Sequence, residues 1–154
     1  MRPYTSADGP AVIALVVAAG MFSQDEAGFL AEGVLDADPD GAPCFVEDAE
    51  DGRGLASVLF YRPEESADRA YDLTMIAVRP DLQGGGRGAA LMRHAEDDLK
   101  QRDQRLLLVR TSGTAQYDAT RAFYRGLDYA EASRVADYWT DGDDLVMFSK
   151  RLAG

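Results

Sequence analysis

Apolar residues recur along the chain with two periods, one typical of helices and one typical of strands. The predicted helices cover residues 8–19, 23–35, 86–102 and 117–127. Ser23 and Glu26 have the spacing of a capping box at the start of the second helix. In the third, Leu91, Ala95 and Leu99 share one face, which predicts an amphipathic helix with a buried side.

The strand-like runs lie before, between and after these helices. The predicted strands cover residues 2–5, 43–47, 54–61, 73–78, 106–111, 130–139 and 145–151. The run 106–111 is continuously apolar until its end, as expected of a central strand covered on both faces. Residues 140–144 contain an Asp-Gly pair and predict the turn of a closing hairpin. At 154 residues, this order predicts one α/β domain over residues 1–154.

The segment between residues 71 and 89 carries most of the functional information. A strand-like run stops at Pro80, and four glycines follow within five residues: Gly84, Gly85, Gly86 and Gly88. Glycine lacks a Cβ, so this backbone can turn sharply and direct its N–H groups into one concavity. The predicted helix then begins, and a helix N-terminus adds unpaired donors and a positive dipole end. Together these features predict a cradle for phosphate groups.

Two nucleotide-binding signatures fit this loop poorly. A Walker A loop ends in Gly-Lys-Ser/Thr, whereas Gly88 is followed by two alanines. The dinucleotide pattern G-x-G-x-x-G/A is met loosely by Gly84, Gly86 and Ala89. That fold, however, needs an acidic residue after the next strand, where this chain has Arg110. Both interpretations are therefore disfavoured.

A third pattern fits better. The run Gln83-Gly84-Gly85-Gly86-Arg87-Gly88 matches the Q/R-x-x-G-x-G/A motif of the GNAT superfamily of N-acetyltransferases. Downstream, residues 122–129 resemble that family's helix ending in Phe-Tyr-x-x-x-Gly-Phe/Tyr. The two motifs occur in the family's order, and the resemblance is good over residues 70–151 and only general over the first 60. It implies the GNAT fold, an α/β architecture with a mixed central sheet of six to seven strands flanked by about four helices.

The resemblance implies direct transfer of an acetyl group from acetyl-CoA, the co-substrate, to a primary amine in a ternary complex. Backbone groups of the fourth strand would hold the pantetheine arm, and the glycine loop would hold the diphosphate. The cofactor-binding residues expected on this basis are Ile76, Ala77, Val78, Gln83, Gly84, Gly85, Gly86, Arg87, Gly88, Ala89 and Tyr117. Gln83 would bond either the loop or a phosphate. Tyr117 stands where the family often has an asparagine, so its contact is a departure from the pattern, and packing is the alternative.

The resemblance also implies the catalytic groups. Tyr124 takes the place of the family's general acid, since a phenol stays protonated at neutral pH yet can donate to a leaving thiolate. Packing of the helix onto the sheet is the alternative role. Asp72 matches the position of the glutamate base in the histone-modifying branch, and a solvated strand end is its alternative. Glu47 is a lesser candidate for the base.

Charge and composition restrict the classes of molecule that the protein is expected to bind. The net charge of −11 argues against nucleic acid. Residues 79–125 hold nine Arg/Lys and six Asp/Glu, so the acidity lies outside the motif-bearing segment. We therefore expect an anionic cofactor there and a cationic small-molecule or peptide amine as acceptor. Tyr138 and Trp139, beside the acidic residues of the hairpin turn, suit either an amine site or a solvated hairpin tip.

The remaining expectations concern chemistry and compartment. No apolar run reaches the ~18 residues of a membrane span, so we expect no membrane partner. The one cysteine, Cys44, forms no internal disulfide, which favours the cytoplasm, and no Cys/His group has the spacing of a metal site. The oligomeric state stays open, with a homodimer through the closing hairpin as one candidate. Two alternatives remain: a non-catalytic acyl-CoA-binding module or sensor, and transfer of longer acyl groups.

Overall fold

The computed structural model describes residues 1–30 and 43–152, which form seven strands and four α-helices. The strands are β1 (Arg2–Pro3), β2 (Cys44–Asp48), β3 (Leu55–Pro63), β4 (Ala70–Val78), β5 (Leu106–Ser112), β6 (Ala130–Thr140) and β7 (Asp143–Arg151). The helices are α1 (Gly9–Ala18), α2 (Gln24–Leu30), α3 (Arg87–Gln101) and α4 (Asp118–Gly126). Short 3-10 turns cover Ser6–Asp8, Pro80–Leu82 and Ala115–Tyr117.

The strands belong to one sheet in the order β1-β2-β3-β4-β5-β7-β6. The sheet is mixed, because β4 and β5 are parallel while β5 and β7, and β6 and β7, are antiparallel. A seven-stranded mixed sheet with four helices is what the family resemblance implied. The predicted fold class is therefore confirmed.

The described residues group into two compact units. The first contains Met1–Arg62 and Thr74–Ala95, and its core joins α1 and α2 to β2, β3 and β4. The core side chains of this unit are Val12, Leu15, Val16, Ala27, Val46, Leu55, Val58, Phe60, Met75 and Ala77. The capping box predicted before α2 is present, since Ser23 N donates to Glu26 Oε2 at 3.1 Å and Glu26 N to Ser23 Oγ at 3.3 Å. The predicted end of that helix at residue 35 lies outside the described residues.

The second unit contains Pro63–Leu73 and the chain from Glu96 onward. The β5–β7 ladder runs from Leu106↔Arg151 to Ser112↔Leu145. Glu96 of α3 is buried, and it accepts a hydrogen bond from the Tyr129 hydroxyl at 2.9 Å and one from Lys150 Nζ at 3.0 Å. A buried carboxylate needs such partners, and these join α3 to the residues before and after β6.

The closing hairpin is present and turns at the predicted Asp-Gly pair, but its turn is shorter than the predicted residues 140–144. The turn is only two residues long, between Thr140 and Asp143, and Gly142 takes a left-handed φ of 81° there. The register of β6 with β7 shifts twice, between Glu131 and Ser133 and between Val135 and Thr140. At the second shift, residues 136–139 oppose a single residue, Asp144, in a bulge larger than the usual two residues against one.

The prediction for β5 was also wrong in one respect. Leu107, Val109 and Thr111 are buried, but Leu106 and Leu108 are half-buried and Arg110 is exposed. The strand therefore alternates rather than being covered on both faces.

Among residues 1–30 and 43–152, no helix combines the length and apolarity needed to cross a membrane.

Candidate active site

The glycine loop lies between β4 and α3, as predicted. Gly84 and Gly86 adopt left-handed φ angles of 82° and 83°, a conformation that side chains with a Cβ rarely adopt. The helix starts directly afterwards, and its first hydrogen bond is that from Ala90 N to Gly86 O, at 3.0 Å. The N–H groups at the start of a helix have no partner within it, so they point out of the loop together with the positive end of the dipole. This arrangement is suited to binding a diphosphate.

Gln83 bonds the loop itself. Its side-chain Nε2 donates to the carbonyl of Val78 at 3.0 Å. This bond spans the 3-10 turn Pro80–Leu82 and closes the segment that leads from β4 to the glycines. Of the two roles left open for Gln83, the structure shows the one within the loop.

Arg87, the first residue of α3, pairs with Glu47 of β2. Both side chains are half-buried. The predicted phosphate-binding role of Arg87 therefore stays a prediction, because in this structure its guanidinium contacts a carboxylate.

The strand residues expected to hold the pantetheine arm lie at the end of β4. Ala77 is buried in the first unit's core, whereas Ile76 and Val78 point to the opposite, half-buried face. The register of β4 with β5 covers four pairs and ends at Leu73↔Val109, while β5 continues to pair with β7 through Ser112. Residues 74–78 thus extend past the stretch that is paired with β5.

Tyr124 lies on α4 and is only 3% exposed. Its ring contacts three aromatic neighbours. The ring centroids of Phe123 and Tyr129 lie edge-on at 5.1 and 5.8 Å from that of Tyr124, and the centroid of Phe148 lies at 5.8 Å. Burial raises the pKa of its phenol above the usual value. The hydroxyl therefore carries its proton throughout the neutral range, as a general acid must.

Asp72 of β4 is engaged by a guanidinium. Arg110 Nε lies 3.4 Å from Asp72 Oδ1, and Arg110 Nη2 donates to Glu64 Oε2 at 3.1 Å. One arginine is thus shared by two carboxylates. The solvated strand end considered as the alternative role does not describe this site, since the Asp72 side chain is only 18% exposed.

Tyr117 ends the 3-10 turn before α4 and is 40% exposed. The same turn is held by Arg121, a buried residue that donates to the carbonyls of Ser112 and Thr114 at 2.7 and 2.8 Å. Arg121 also pairs with Asp118, three residues earlier. Arg121 fixes the turn that presents Tyr117.

The aromatic pair in β6 lies on the bulge at residues 136–139. Trp139 donates its indole N–H to the carbonyl of Thr111 at 3.1 Å, yet the residue remains 47% exposed. Tyr138 is exposed to a similar extent and packs edge-on against Trp139 at 4.8 Å. The bulge therefore holds one aromatic side chain in a fixed place on the surface.

The structure groups these residues in two sets. Those expected to bind the cofactor at residues 76–89 all belong to the first unit, whereas Tyr124, Asp72 and Tyr117 belong to the second. Within the described parts of the chain, no group of three or more His, Cys, Asp or Glu side chains is arranged as a metal site.

The sequence profile of the Acetyltransferase (GNAT) family matches residues 15–129. The chain belongs to the GNAT acetyltransferase family. The match spans the glycine loop, Asp72 and Tyr124, and it ends at Tyr129, the last residue of the second motif. No curated protein matches the chain significantly by sequence.

Solved structures of GNAT proteins share the fold. A protein of Desulfovibrio desulfuricans, described as a candidate GNAT acetyltransferase, is 27% identical over 99% of this chain and 98% of its own, with a TM-score of 0.88. The Escherichia coli ribosomal-protein-S18-alanine N-acetyltransferase is 20% identical over 99% and 93% of the two chains, with a TM-score of 0.76. An aminoglycoside 6'-N-acetyltransferase solved with coenzyme A is 13% identical over 95% and 91%, with a TM-score of 0.75.

Proposed function

We propose that this GNAT protein is an N-acetyltransferase that moves an acetyl group from acetyl-CoA directly to a primary amine in a ternary complex. The observation that carries the proposal is the loop at the start of α3, where Gly84 and Gly86 take left-handed conformations. A helix N-terminus preceded by such a loop is suited to binding a diphosphate, and coenzyme A carries a diphosphate. Family membership supports the same activity.

The cofactor contacts follow from this placement. The main-chain N–H groups from Gly84 to Ala89 would hold the diphosphate, with Gln83 keeping the loop closed through Val78. The backbone of Ile76, Ala77 and Val78 would hold the pantetheine arm. We keep Arg87 and Tyr117 as proposed contacts, and the bound acetyl thioester supplies the activated acyl group.

Proton transfer would be served by Tyr124. When the amine nitrogen bonds to the carbonyl carbon and the carbon–sulfur bond breaks, one proton leaves the amine and one reaches the sulfur. Tyr124 is protonated at neutral pH, because burial disfavours its phenolate. We therefore propose that its hydroxyl donates to the sulfur.

Asp72 is the proposed acceptor of the amine proton, directly or through water. Its carboxylate is held by Arg110, which fixes its orientation. Glu64 binds the other end of the same guanidinium and therefore offers a matched comparison.

The acceptor is proposed to be a cationic small molecule or a peptide amine. Four aspartates surround the hairpin tip of the second unit: Asp137, Asp141, Asp143 and Asp144. Trp139 is fixed beside them by its bond to Thr111. An aromatic face next to carboxylates attracts ammonium groups. The amine classes named for the structural neighbours, a ribosomal-protein alanine and an aminoglycoside, both fit this chemistry.

The cellular compartment and the macromolecular partners are also proposals. We place the protein in the cytoplasm, because its one cysteine suits a reducing compartment. No nucleic-acid or membrane partner is proposed. A homodimer would form through β6, an edge strand whose residues are exposed along its whole length.

A thiol-release assay over a panel of amines, aminoglycosides and N-terminal peptides tests the proposal. We expect acetyl-CoA to release free coenzyme A only when an amine acceptor is present. Binding of acetyl-CoA without release across the whole panel would support the sensor instead. Replacing acetyl-CoA with longer acyl-CoA compounds in the same assay tests the alternative of longer acyl groups.

A further inference from the structure

Arg79 connects the start of the glycine loop to a turn that lies 28 residues earlier in the sequence. It follows the last residue of β4, and its main-chain N–H donates to the carbonyl of Ala56 at 2.9 Å. Its guanidinium donates to both oxygens of Asp51, at 2.7 and 3.3 Å, and to the carbonyl of Arg53 at 2.9 Å. Asp51 and Arg53 lie in the turn between β2 and β3.

Arg79 has no donor left for a phosphate. Besides these three bonds, it donates to both oxygens of Asp81, at 2.6 and 3.1 Å. Its hydrogen bonds therefore use as many donors as the five that a guanidinium possesses. The side chain is only 17% exposed, so it is held in this arrangement rather than directed at solvent.

Asp51 is the centre of this cluster. Besides Arg79, its carboxylate accepts from the main-chain N of Arg53 at 2.9 Å and from the Arg53 guanidinium at 2.9 and 3.1 Å. The hydrogen bond from Arg79 is the largest cause that keeps the pKa of Asp51 well below its usual value. The Arg53 side chain itself is 77% exposed, so it adds a partner for Asp51 without contacting the loop.

The glycine loop needs support from its ends. A Cβ placed on Gly84, Gly85 or Gly86 would meet no atom within 4 Å, so the space on the side-chain side of these residues is open. Glycine also loses more conformational freedom on ordering than any other residue. A loop of this kind holds its N–H groups in one direction only if the residues flanking it are fixed.

We propose that Asp51 and Arg79 are positioning residues for the diphosphate: they hold the glycine loop in its binding conformation without contacting the ligand. The affinity for coenzyme A then depends on the β2–β3 turn. This inference rests on the proposed function, since it assumes that the loop binds a diphosphate.

The ionic groups nearby favour positioning over direct attraction. Two guanidinium groups lie in or beside the loop, those of Arg79 and Arg87, and that of Arg53 lies in the β2–β3 turn. The carboxylates paired with these three groups are those of Glu47, Asp51 and Asp81, so the six charges balance. The attraction for a diphosphate therefore comes mainly from the main-chain donors, whose directions the cluster fixes.

The test compares coenzyme A with pantetheine, which lacks the diphosphate and the 3′-phosphoadenosine attached to it. We expect Asp51→Asn to raise the Kd for coenzyme A about tenfold, as loss of a charged hydrogen-bond partner commonly does. The Kd for pantetheine and kcat at saturating acetyl-CoA should stay within about twofold, because the ligand's other contacts are unchanged. Arg79→Gln combined with Asp51→Asn should weaken binding no more than Arg79→Gln alone, since both changes break the same link.

Arg53→Gln is the matched control. It removes a charged partner of Asp51 but leaves the Arg79–Asp51 pair and the main-chain carbonyl of Arg53 in place. We expect its Kd for coenzyme A to stay within about twofold of the wild type. If Asp51→Asn fails to fold, as circular dichroism would show, Arg79→Lys gives the decisive comparison, because it keeps the charge and loses the bidentate contact with Asp51. Its Kd for coenzyme A should then rise about tenfold, and an unchanged Kd would overturn the proposal.

The outcomes separate this inference from the proposed function. If the wild type binds no coenzyme A, the proposed function fails. If the wild type binds but Asp51→Asn binds equally well or more tightly, the positioning role is wrong. Equal weakening for coenzyme A and pantetheine would also overturn it, since the effect would then not act on the diphosphate.

Discussion

The glycine loop of the first unit and the aromatic cluster around Tyr124 in the second unit represent two ways of preparing a functional group. The loop is exposed and unpacked, and its proposed function belongs to main-chain atoms aimed by left-handed glycines and by ion pairs at its ends. Tyr124 is almost wholly buried, and its proposed function belongs to one side-chain hydroxyl whose proton is retained by burial. On this proposal, backbone geometry controls binding in one region, and side-chain environment controls proton transfer in the other.

The largest effect should follow from Tyr124→Phe. The change keeps the ring packing and removes the proposed proton donor, so we expect kcat to fall about 100-fold. The Kd for acetyl-CoA should stay within about twofold. Steady-state kinetics and calorimetry on the same sample measure the two quantities.

Tyr129→Phe is the control for that change. It removes a hydroxyl from the same aromatic cluster, but this hydroxyl donates to Glu96. We expect a loss of about 1 kcal/mol in the free energy of unfolding and a kcat within about threefold of the wild type. Equal losses of kcat in the two variants would remove the distinction between an acid and a packing residue.

The pH profile sharpens the role of Tyr124. A general acid must be protonated, and burial raises the pKa of this phenol, so its proton is kept even above the usual phenol value of about 10. We expect no fall in kcat from this group as the pH rises from 8 to about 10. A basic limb near pH 9 that disappears in Tyr124→Phe would contradict the raised pKa.

A smaller loss of turnover should follow from Asp72→Asn. If Asp72 accepts the amine proton, kcat/KM for the amine should fall about tenfold. Glu64→Gln removes the other carboxylate on Arg110 and should leave that value within about twofold. The base assignment fails if both variants lose the same activity.

Gly86→Ala tests the loop without touching proton transfer. Alanine is strained at a φ of 83° by about 1 to 2 kcal/mol, so the Kd for coenzyme A should rise about tenfold. Gly85→Ala is the matched control, because Gly85 has the same open surroundings without a left-handed φ. Similar Kd values for the two variants would show that the left-handed conformation is irrelevant to binding.

The smallest effect is expected for Cys44→Ala. Burial raises the pKa of this thiol to about 12, so at neutral pH almost none of it is the thiolate that a covalent acyl intermediate would need. We expect kcat to stay within about twofold and mass spectrometry to detect no acyl adduct on the wild type. An acetylated Cys44 during turnover would contradict direct transfer.

Patterns that are local in sequence predicted the corresponding structure well. The glycine motif at residues 83–88, the capping box from Ser23 to Glu26 and the buried face of α3 all depend on residues within one or two turns of each other. These interactions follow from short-range geometry, which the sequence displays directly.

The features that were missed depend on residues far apart in the chain. Arg79 and Asp51 are 28 positions apart, and Arg87 and Glu47 are 40 apart, so their pairing follows from how the first unit packs. The bulge in β6 depends on its register with β7, which a tight turn at Gly142 sets. A charged residue in a motif does not show which partner it will find, and for this reason Arg87 was expected to face a phosphate.

Calorimetric titration of the wild-type protein with coenzyme A, and in parallel with pantetheine, tests the central claim most directly. The account predicts a Kd for coenzyme A in the micromolar range and at least about tenfold weaker binding of pantetheine, which lacks the diphosphate that the loop is proposed to bind and the nucleotide attached to it. Absence of heat with coenzyme A at about millimolar concentration, or equal affinities for the two ligands, would contradict it.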